Sequence, residues 1–470
     1  MDAQHPSGRD HRPSAPSVSS PMPGFADRAA ARAWLDAELA TLVSVAVHTA
    51  GQGWPSHAAR LATTLFVGYL SGGHDTEALA IQTSGLNAAR DCGDRAAQAE
   101  TLHNLGYLHY RHGDYQQAAA SYQRSLELAK DVGDQHLQTW ALGGLGIVHD
   151  LEGRLTQGVD CYRQAIASAQ QRDDKFDQGT FQNNLGILYA RYGRYQQAAE
   201  LAQSALAIAR EIGDRAGEGY SLAGLGDAHY GQARYQEATS HLRRAIATAR
   251  EVGDRWVEAD ALTRLGRAWN RQGRYAQAAE CHQQALAIYQ ETGERDGHAL
   301  ALIGAGETLL ATGQPGQAQA SDSAALSLSR QSGDRYLQAY ALTGLGEISQ
   351  RLGQHAQSAE YHQQALALFQ AIDAWGGQTE ALNGTGEALL ATGQRDQSCE
   401  CHTAALTLSR QTGDRYQQAR AHRGLGAACQ AAGQLEQARQ HWQHALDIYG
   451  DLGVPEASLM RSDLTAAGQA

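Results

Sequence analysis

Gly106 recurs every forty residues, as Gly146, Gly186, Gly226, Gly266, Gly306, Gly346, Gly386 and Gly426, with no insertion or deletion between any two. Around each copy the flanking pattern returns in register, beginning with the stretch from Asp94 to Gly133, DRAAQAETLHNLGYLHYRHGDYQQAAASYQRSLELAKDVG. A fixed period of this length marks an array in which each unit is one supersecondary element that buries its apolar face only against its neighbours. Because such a core grows one unit at a time, a length that would ordinarily divide into about three domains reads as a single array.

Within the first copy, Leu102, Leu105, Leu108 and His109 fall at helical spacing. Arg111-His112-Gly113-Asp114 interrupts them, and Tyr115, Ala118, Ala119, Tyr122, Leu126 and Ala129 begin a second stripe. The unit is helix, short turn, helix. At Gly133-Asp134 the glycine is expected to be left-handed and the aspartate to cap the next helix. That junction returns at Gly213-Asp214, Gly253-Asp254, Gly333-Asp334 and Gly413-Asp414. A mid-helix glycine costs roughly 1 kcal/mol relative to alanine, so the recurrence of Gly106 predicts a close helix crossing. Ala118 and its equivalents Ala198, Ala238, Ala278, Ala318 and Ala438 are the expected small partners.

Leu105-Gly106, a small residue twelve positions on, an aromatic four later and another small residue three after that resemble the tetratricopeptide repeat (TPR) over most of the chain. Each unit has forty residues instead of the usual 34, and Gly-Asp-Arg stands where a proline normally closes the repeat. In this it resembles the longer repeats of LGN-type scaffolds, kinesin light chains and large bacterial regulators. The resemblance implies an all-α fold: an α-α superhelix of about ten helix-turn-helix units with terminal capping helices, right-handed, with a concave groove lined by the first helices.

Four segments are expected. Residues 1–24, rich in Ser and holding five of the eight prolines, read as a disordered arm. Residues 25–93 read as a cap and a worn repeat. Its first helix runs from Asp27 to about Ala50 and carries Trp34, Leu35, Leu39, Leu42, Val43 and Ala46 on one face, a stripe that should seal the array. A hairpin follows, roughly Pro55 to Leu70 and Asp75 to Cys92, in which Phe66 replaces the mid-helix glycine. Residues 94–453 are nine full repeats, and 454–470 are a closing helix with Leu459, Met460 and Leu464 on one side. Pro55, Pro315 and Pro455 all stand where helices should start.

Phe25-Ala26-Asp27-Arg28 and Ala33-Trp34-Leu35-Asp36-Ala37-Glu38, followed by the hairpin and Gly93-Asp94-Arg95, resemble the segment opening the C-terminal TPR region of SARP and AfsR-type antibiotic regulators. That likeness implies a place in transcriptional or secondary-metabolism regulation. In that family a DNA-binding domain and a nucleotide-binding switch come first. These 470 residues hold no G-x-x-x-x-G-K-[ST] loop and no stretch set aside for a winged helix, so no DNA-binding or ATPase residue carries over.

A formal net charge of -12 argues against direct nucleic-acid binding, which needs a basic face. Six dispersed cysteines, Cys92, Cys161, Cys281, Cys399, Cys401 and Cys429, fit a reducing cytoplasm. The longest apolar stretch, Leu39 to Val47, falls far short of the roughly 20 residues that span a bilayer, so neither export nor membrane insertion is expected.

Chemistry-bearing patterns reduce to packing. The G-x-G pairs from 144/146 to 424/426 lie mid-helix without a preceding strand, so they are not phosphate loops. Cys161, Cys281 and Cys401 stand three repeats apart and cannot converge on one metal ion. His282, His362 and His402 hold the position of the repeat's aromatic residue and read as satisfied core histidines. With no catalytic motif, metal site or cofactor to assign, catalysis is not expected.

The candidate binding residues are those that vary at groove-facing positions. Trp140, Tyr220 and Tyr340 share one such position, and Tyr110 and Tyr230 another. Glu307, Glu347 and Glu387 each follow the repeat glycine and should form a ladder of carboxylates for a basic segment. Arg351 is the expected partner of Glu347 and Arg267 that of Glu307, while Glu387 has none nearby. The reading is a non-catalytic scaffold binding a protein or peptide in a groove near 100 Å long. A peptide-sensing regulator of the Rap type is the alternative, and an enzyme or small-molecule sensor comes after it. Self-association is left open.

Overall fold

The computed structural model describes residues 24, 28–51, 54–70 and 75–469. Apart from Gly24, the arm expected over 1–24 lies outside the described residues. The described chain forms twenty-two helices and, among those residues, no strand. α1 (Arg28–Gly51) precedes the hairpin α2 (Pro55–Leu70) and α3 (Asp75–Asp91). Nine pairs run from α4 (Arg95–His112) and α5 (Tyr115–Val132) to α20 (Arg415–Ala431) and α21 (Leu435–Leu452), and α22 (Glu456–Gln469) closes the array. No helix among the described residues is long and apolar enough to cross a membrane.

The Gly-Asp junctions behave as their chemistry requires. Gly133, Gly213, Gly253, Gly333 and Gly413 have φ between 72° and 78°. The aspartate after each C′ glycine accepts a hydrogen bond three residues on, as in Asp134 from the Leu137 amide at 2.9 Å and Asp334 from the Leu337 amide at 3.0 Å. One residue thus ends a helix and the next starts its successor, so no linker is needed between units.

The mid-helix glycine faces a different partner from the one expected. A Cβ on Gly106 would lie 2.8 Å from the Tyr122 ring, sixteen positions on, and not against Ala118. A Cβ on Gly144, in the next unit, would meet the same ring at 2.5 Å. Two glycines from successive first helices therefore make a flat slot that holds one side chain of the second helix between them. His282 lies between Gly266 and Gly304, His362 between Gly346 and Gly384, and His402 between Gly386 and Gly424. Ala118, fully buried beside the slot, is small for helix packing.

Two compact units divide the chain: residues up to Val148 with Gln164–Arg172, and His149–Arg163 with Asp173 onward. In the first, Leu42, Val43 and buried Ala46 of α1 pack on Ala62, Leu65 and Ile81. Trp34, expected in that seal, is 39% exposed, and the side chains of Leu35 and Leu39 lie outside the described residues. α1 has 24 residues and α2 only 16, so at 1.5 Å per residue α1 is about 12 Å longer than the helix it packs on.

In the second unit the chain returns onto itself. Gly193 backs onto Gly376, more than four repeats later, so closely that a Cβ would lie 2.8 Å from its amide nitrogen, and Gly273 abuts Pro455 in the same way. Arg191 clasps Asp334 at 3.0 Å and Asp150 at 3.4 Å, with its guanidinium 4.5 Å from the centre of the Tyr336 ring. Ala233 and Tyr235 join Tyr416, Ala419 and Trp442 in one apolar cluster. The long open groove expected from the repeat count is therefore replaced, within this unit, by an enclosed space along the first helices. At the far end α22 seats Ala457 and Met460, whereas Leu459 is 61% exposed.

Candidate ligand-binding cavity

The enclosed space contains a cavity of about 290 Å³ lined by α12 (Arg255–Arg271), α14 (Arg295–Ala311), α16 (Arg335–Arg351), α18 (Trp375–Ala391) and α20, with Tyr275 reaching it from α13 (Tyr275–Thr292), Asp322 from α15 (Pro315–Ser332), Tyr449 from α21 and Glu456 and Leu459 from α22. These are mostly first helices, because residues three, four and seven apart on them share the inward face. Tyr340 with Glu347 and Glu380 with Glu387 are such pairs, seven apart.

Glu307, Glu347, Glu387 and Tyr340 all line this cavity. Their electrostatic partners differ from those the local sequence implied. Arg420 Nη2 lies 2.5 Å from Glu347 Oε1 and 2.7 Å from Glu387 Oε2, and Arg423 lies 3.1 Å from Glu387 Oε1. Glu347 thus pairs 73 residues along the chain instead of with Arg351. The reason is curvature, which brings α16, α18 and α20 around one space and makes neighbours of residues remote in sequence. Burial alone would push the Glu387 carboxyl up, but Arg420 and Arg423 hold it well below the usual carboxylate range.

Glu307 makes no hydrogen bond or ion pair with any described residue, and feels Arg267 and Arg271 only at longer range. Arg267 lies over the Tyr230 ring at 5.1 Å and the Tyr340 ring at 5.5 Å. Arg271 lies over Tyr416 at 4.5 Å, donates through Nε to the Tyr230 hydroxyl at 3.2 Å, and pairs with Glu380 at 3.6 Å.

The remaining aromatic candidates do not join this site. Tyr220 packs at 5.5 Å against the ring of Trp256, and in the first unit Tyr110 packs on Tyr107 and Trp140 on His136. Tyr340 itself stacks edge-on with Tyr336 and Phe369. Of the histidines, His402 Nδ1 lies 3.1 Å from Asn383 Oδ1, but neither ring nitrogen of His282 has a partner. Its slot is walled by glycines that offer no polar side chain, and burial lowers its pKa to about 3, so the ring stays neutral.

Two sets of residues escaped the sequence reading. Glu380 and Arg420 occupy the repeat position of Trp140, Tyr220 and Tyr340, where only the aromatics drew attention. Asp322 occupies the slot position of His282, His362 and His402. It is 1% exposed, and its Oδ1 has no hydrogen-bond partner. A carboxyl in a column otherwise held by rings and aliphatic side chains was the available signal.

A family model described as tetratricopeptide repeat matches residues 73–131, 98–171, 177–251, 257–331 and 378–451. No curated protein matches the chain. Among solved structures, a Rap protein complexed with competence and sporulation factor aligns at 15% identity and TM-score 0.45, over 79% of this chain and 98% of that one. The apo quorum sensor NprR from B. thuringiensis aligns at 13% identity and TM-score 0.48, over 74% and 97%. A signal transduction ATPase with numerous domains and a tetratricopeptide repeat sensor, from Pyrococcus horikoshii, aligns at 15% identity and TM-score 0.44; the match covers 74% of this chain but only 53% of that protein.

Proposed function

Because the chain belongs to the tetratricopeptide repeat family, we propose that it is a non-catalytic scaffold that binds a protein or peptide on the inner face of its second unit. The observation that carries this reading is the cavity, where Glu307, Glu347, Glu387 and Tyr340 converge from three different repeats. A surface whose packing residues repeat while its inward residues vary is built for a particular ligand. Its place in a transcriptional or secondary-metabolism regulatory pathway of the cytoplasm rests on the likeness of the N-terminal segment to SARP and AfsR-type regulators. The acidic wall supports a basic segment as the element that enters.

The size of the cavity favours a second reading, a peptide-sensing regulator of the Rap type. About 290 Å³ takes one or two side chains, not the long extended segment that an open groove would hold. Affinity capture from lysate on the full chain, followed by mass spectrometry, separates the two: a stoichiometric protein supports the scaffold, and a short co-purifying peptide supports the sensor. Glu307→Gln should lose whichever is bound, because Glu307 lacks a partner of its own. Retention undiminished in that variant refutes binding at this face.

A further inference from the structure

Asp322 is buried against its own chemistry. Its carboxyl sits in the flat slot between Gly306 and Gly344, where neighbouring units hold imidazole rings, and its Oδ1 finds no hydrogen bond. An enclosed, unpartnered carboxyl is costly, so a structure that keeps one is incomplete as it stands. Glu307, on the adjoining helix, opens on the same cavity and also has no ion pair among the described residues. Of the other acidic groups of the wall, Glu347 and Glu387 are matched by Arg420 and Glu380 by Arg271, while Glu456 accepts from the Tyr416 hydroxyl at 2.7 Å and leaves its Oε2 without a partner.

We propose that Asp322 and Glu307 form a subsite for a guanidinium group, the end of an arginine side chain carried by the protein or peptide ligand inferred above. Two features select guanidinium over ammonium. Guanidinium presents five donors in a rigid fork, which serves two carboxyls on adjacent helices at once. It is also the more weakly hydrated cation and stacks on aromatic faces, as Arg267 already does on Tyr340 at 5.5 Å, so entering an enclosed site costs it less. The volume, about 290 Å³, fits one such side chain. Burial, reinforced by Glu307, raises the Asp322 pKa well above its ordinary value. A bound cation favours the ionised carboxyl, so binding shifts Asp322 towards releasing its proton to solvent.

Calorimetric titration of the full chain with acetyl-Gly-Arg-Gly-amide tests this. Expected are one-to-one binding, release of a proton seen as a heat that varies with the ionisation enthalpy of the buffer, and at least tenfold weaker binding of the citrulline tripeptide, which is neutral but of the same shape. Asp322→His is the decisive variant, since histidine is the residue that fills this slot in three other units and the fold accepts it. It should keep the melting temperature and lose binding at least tenfold, as should Asp322→Asn. Arginine amide binding as tightly as the tripeptide identifies a free small molecule as the source of the group, and preference for the tripeptide identifies a peptide. Equal affinity in wild type and Asp322→His, equal affinity for arginine and citrulline, or no binding to wild type overturns the subsite. A protein partner still captured by Asp322→His would leave the scaffold reading standing.

Discussion

Replacing Arg420 with methionine tests whether the cavity wall is held by its charges. Arg420 is 9% exposed and is shared by Glu347 and Glu387, whose side chains are 32% and 16% exposed. Removing one partner of a buried ionic cluster costs about 3–5 kcal/mol, because the opposite charge is left without compensation. Two things reduce that here: Glu347 is partly hydrated, and Arg423 keeps its 3.1 Å contact with Glu387. A loss of about 2–3 kcal/mol at pH 7 is expected for the units around α18 and α20. The pH dependence carries the sign. In wild type the folded-state pKa of Glu387 lies below the ordinary 4.5, so its contribution is present above pH 4.5 and is lost as pH falls towards the folded value. In the variant burial dominates and the carboxyl prefers its proton, so acid relieves the damage. The gap between the two proteins should begin to narrow as pH falls to the variant's raised carboxyl pKa, above 4.5, and go on narrowing below it. Urea unfolding followed by circular dichroism at pH 7, 5 and 4, with hydrogen exchange resolving α18 to α20, reads both effects. Adding Glu347→Gln and Glu387→Gln to the methionine variant should recover most of the loss at pH 7. A gap independent of pH, or a triple variant as unstable as the single one, would refute the argument.

Asp414 is a half-buried cap whose pKa desolvation raises to about 7, so its favourable protonated form is lost as pH rises through that value. Asp414→Asn keeps an acceptor for the Gln417 amide, now 3.0 Å away, and should match wild type in urea at pH 5.5 but exceed it by about 1 kcal/mol at pH 8.5. Gly346→Ala would place a Cβ 2.6 Å from His362 Nε2 in a ring slot closed on its other face by Gly384. It should destabilise by about 1–3 kcal/mol despite alanine's better helix propensity, and His362→Ala should relieve most of that penalty in a double-mutant cycle. Deleting residues 1–50 should expose Leu65 and Ile81 to protease and lower the melting temperature, whereas deleting 1–24 should change neither, because the seal is made by Leu42, Val43 and Ala46.

Helix limits were legible because local chemistry writes them. Pro55 and Leu70 bound α2 as expected, and each Gly-Asp pair ends one helix and starts the next. The contacts that build the cavity have no such local mark. Nothing near Arg191 announces Asp334, 143 residues on, and nothing near Glu347 announces Arg420. Those pairs depend on how far each unit rotates from the last, a small angle summed over several repeats, and no single repeat encodes the sum.

What the sequence does hold is the set of columns, and the slot column bears on that rotation directly. At Gly186 the residue sixteen positions on is Ala202, too small to fill a slot, and a Cβ there would instead meet the backbone carbonyl of Ala198 at 3.3 Å. Where the occupant is a ring, as at Gly346 with His362, the ring itself separates the helices. Helix spacing therefore follows the volume of one side chain per repeat, since packed interiors leave few voids to absorb a mismatch.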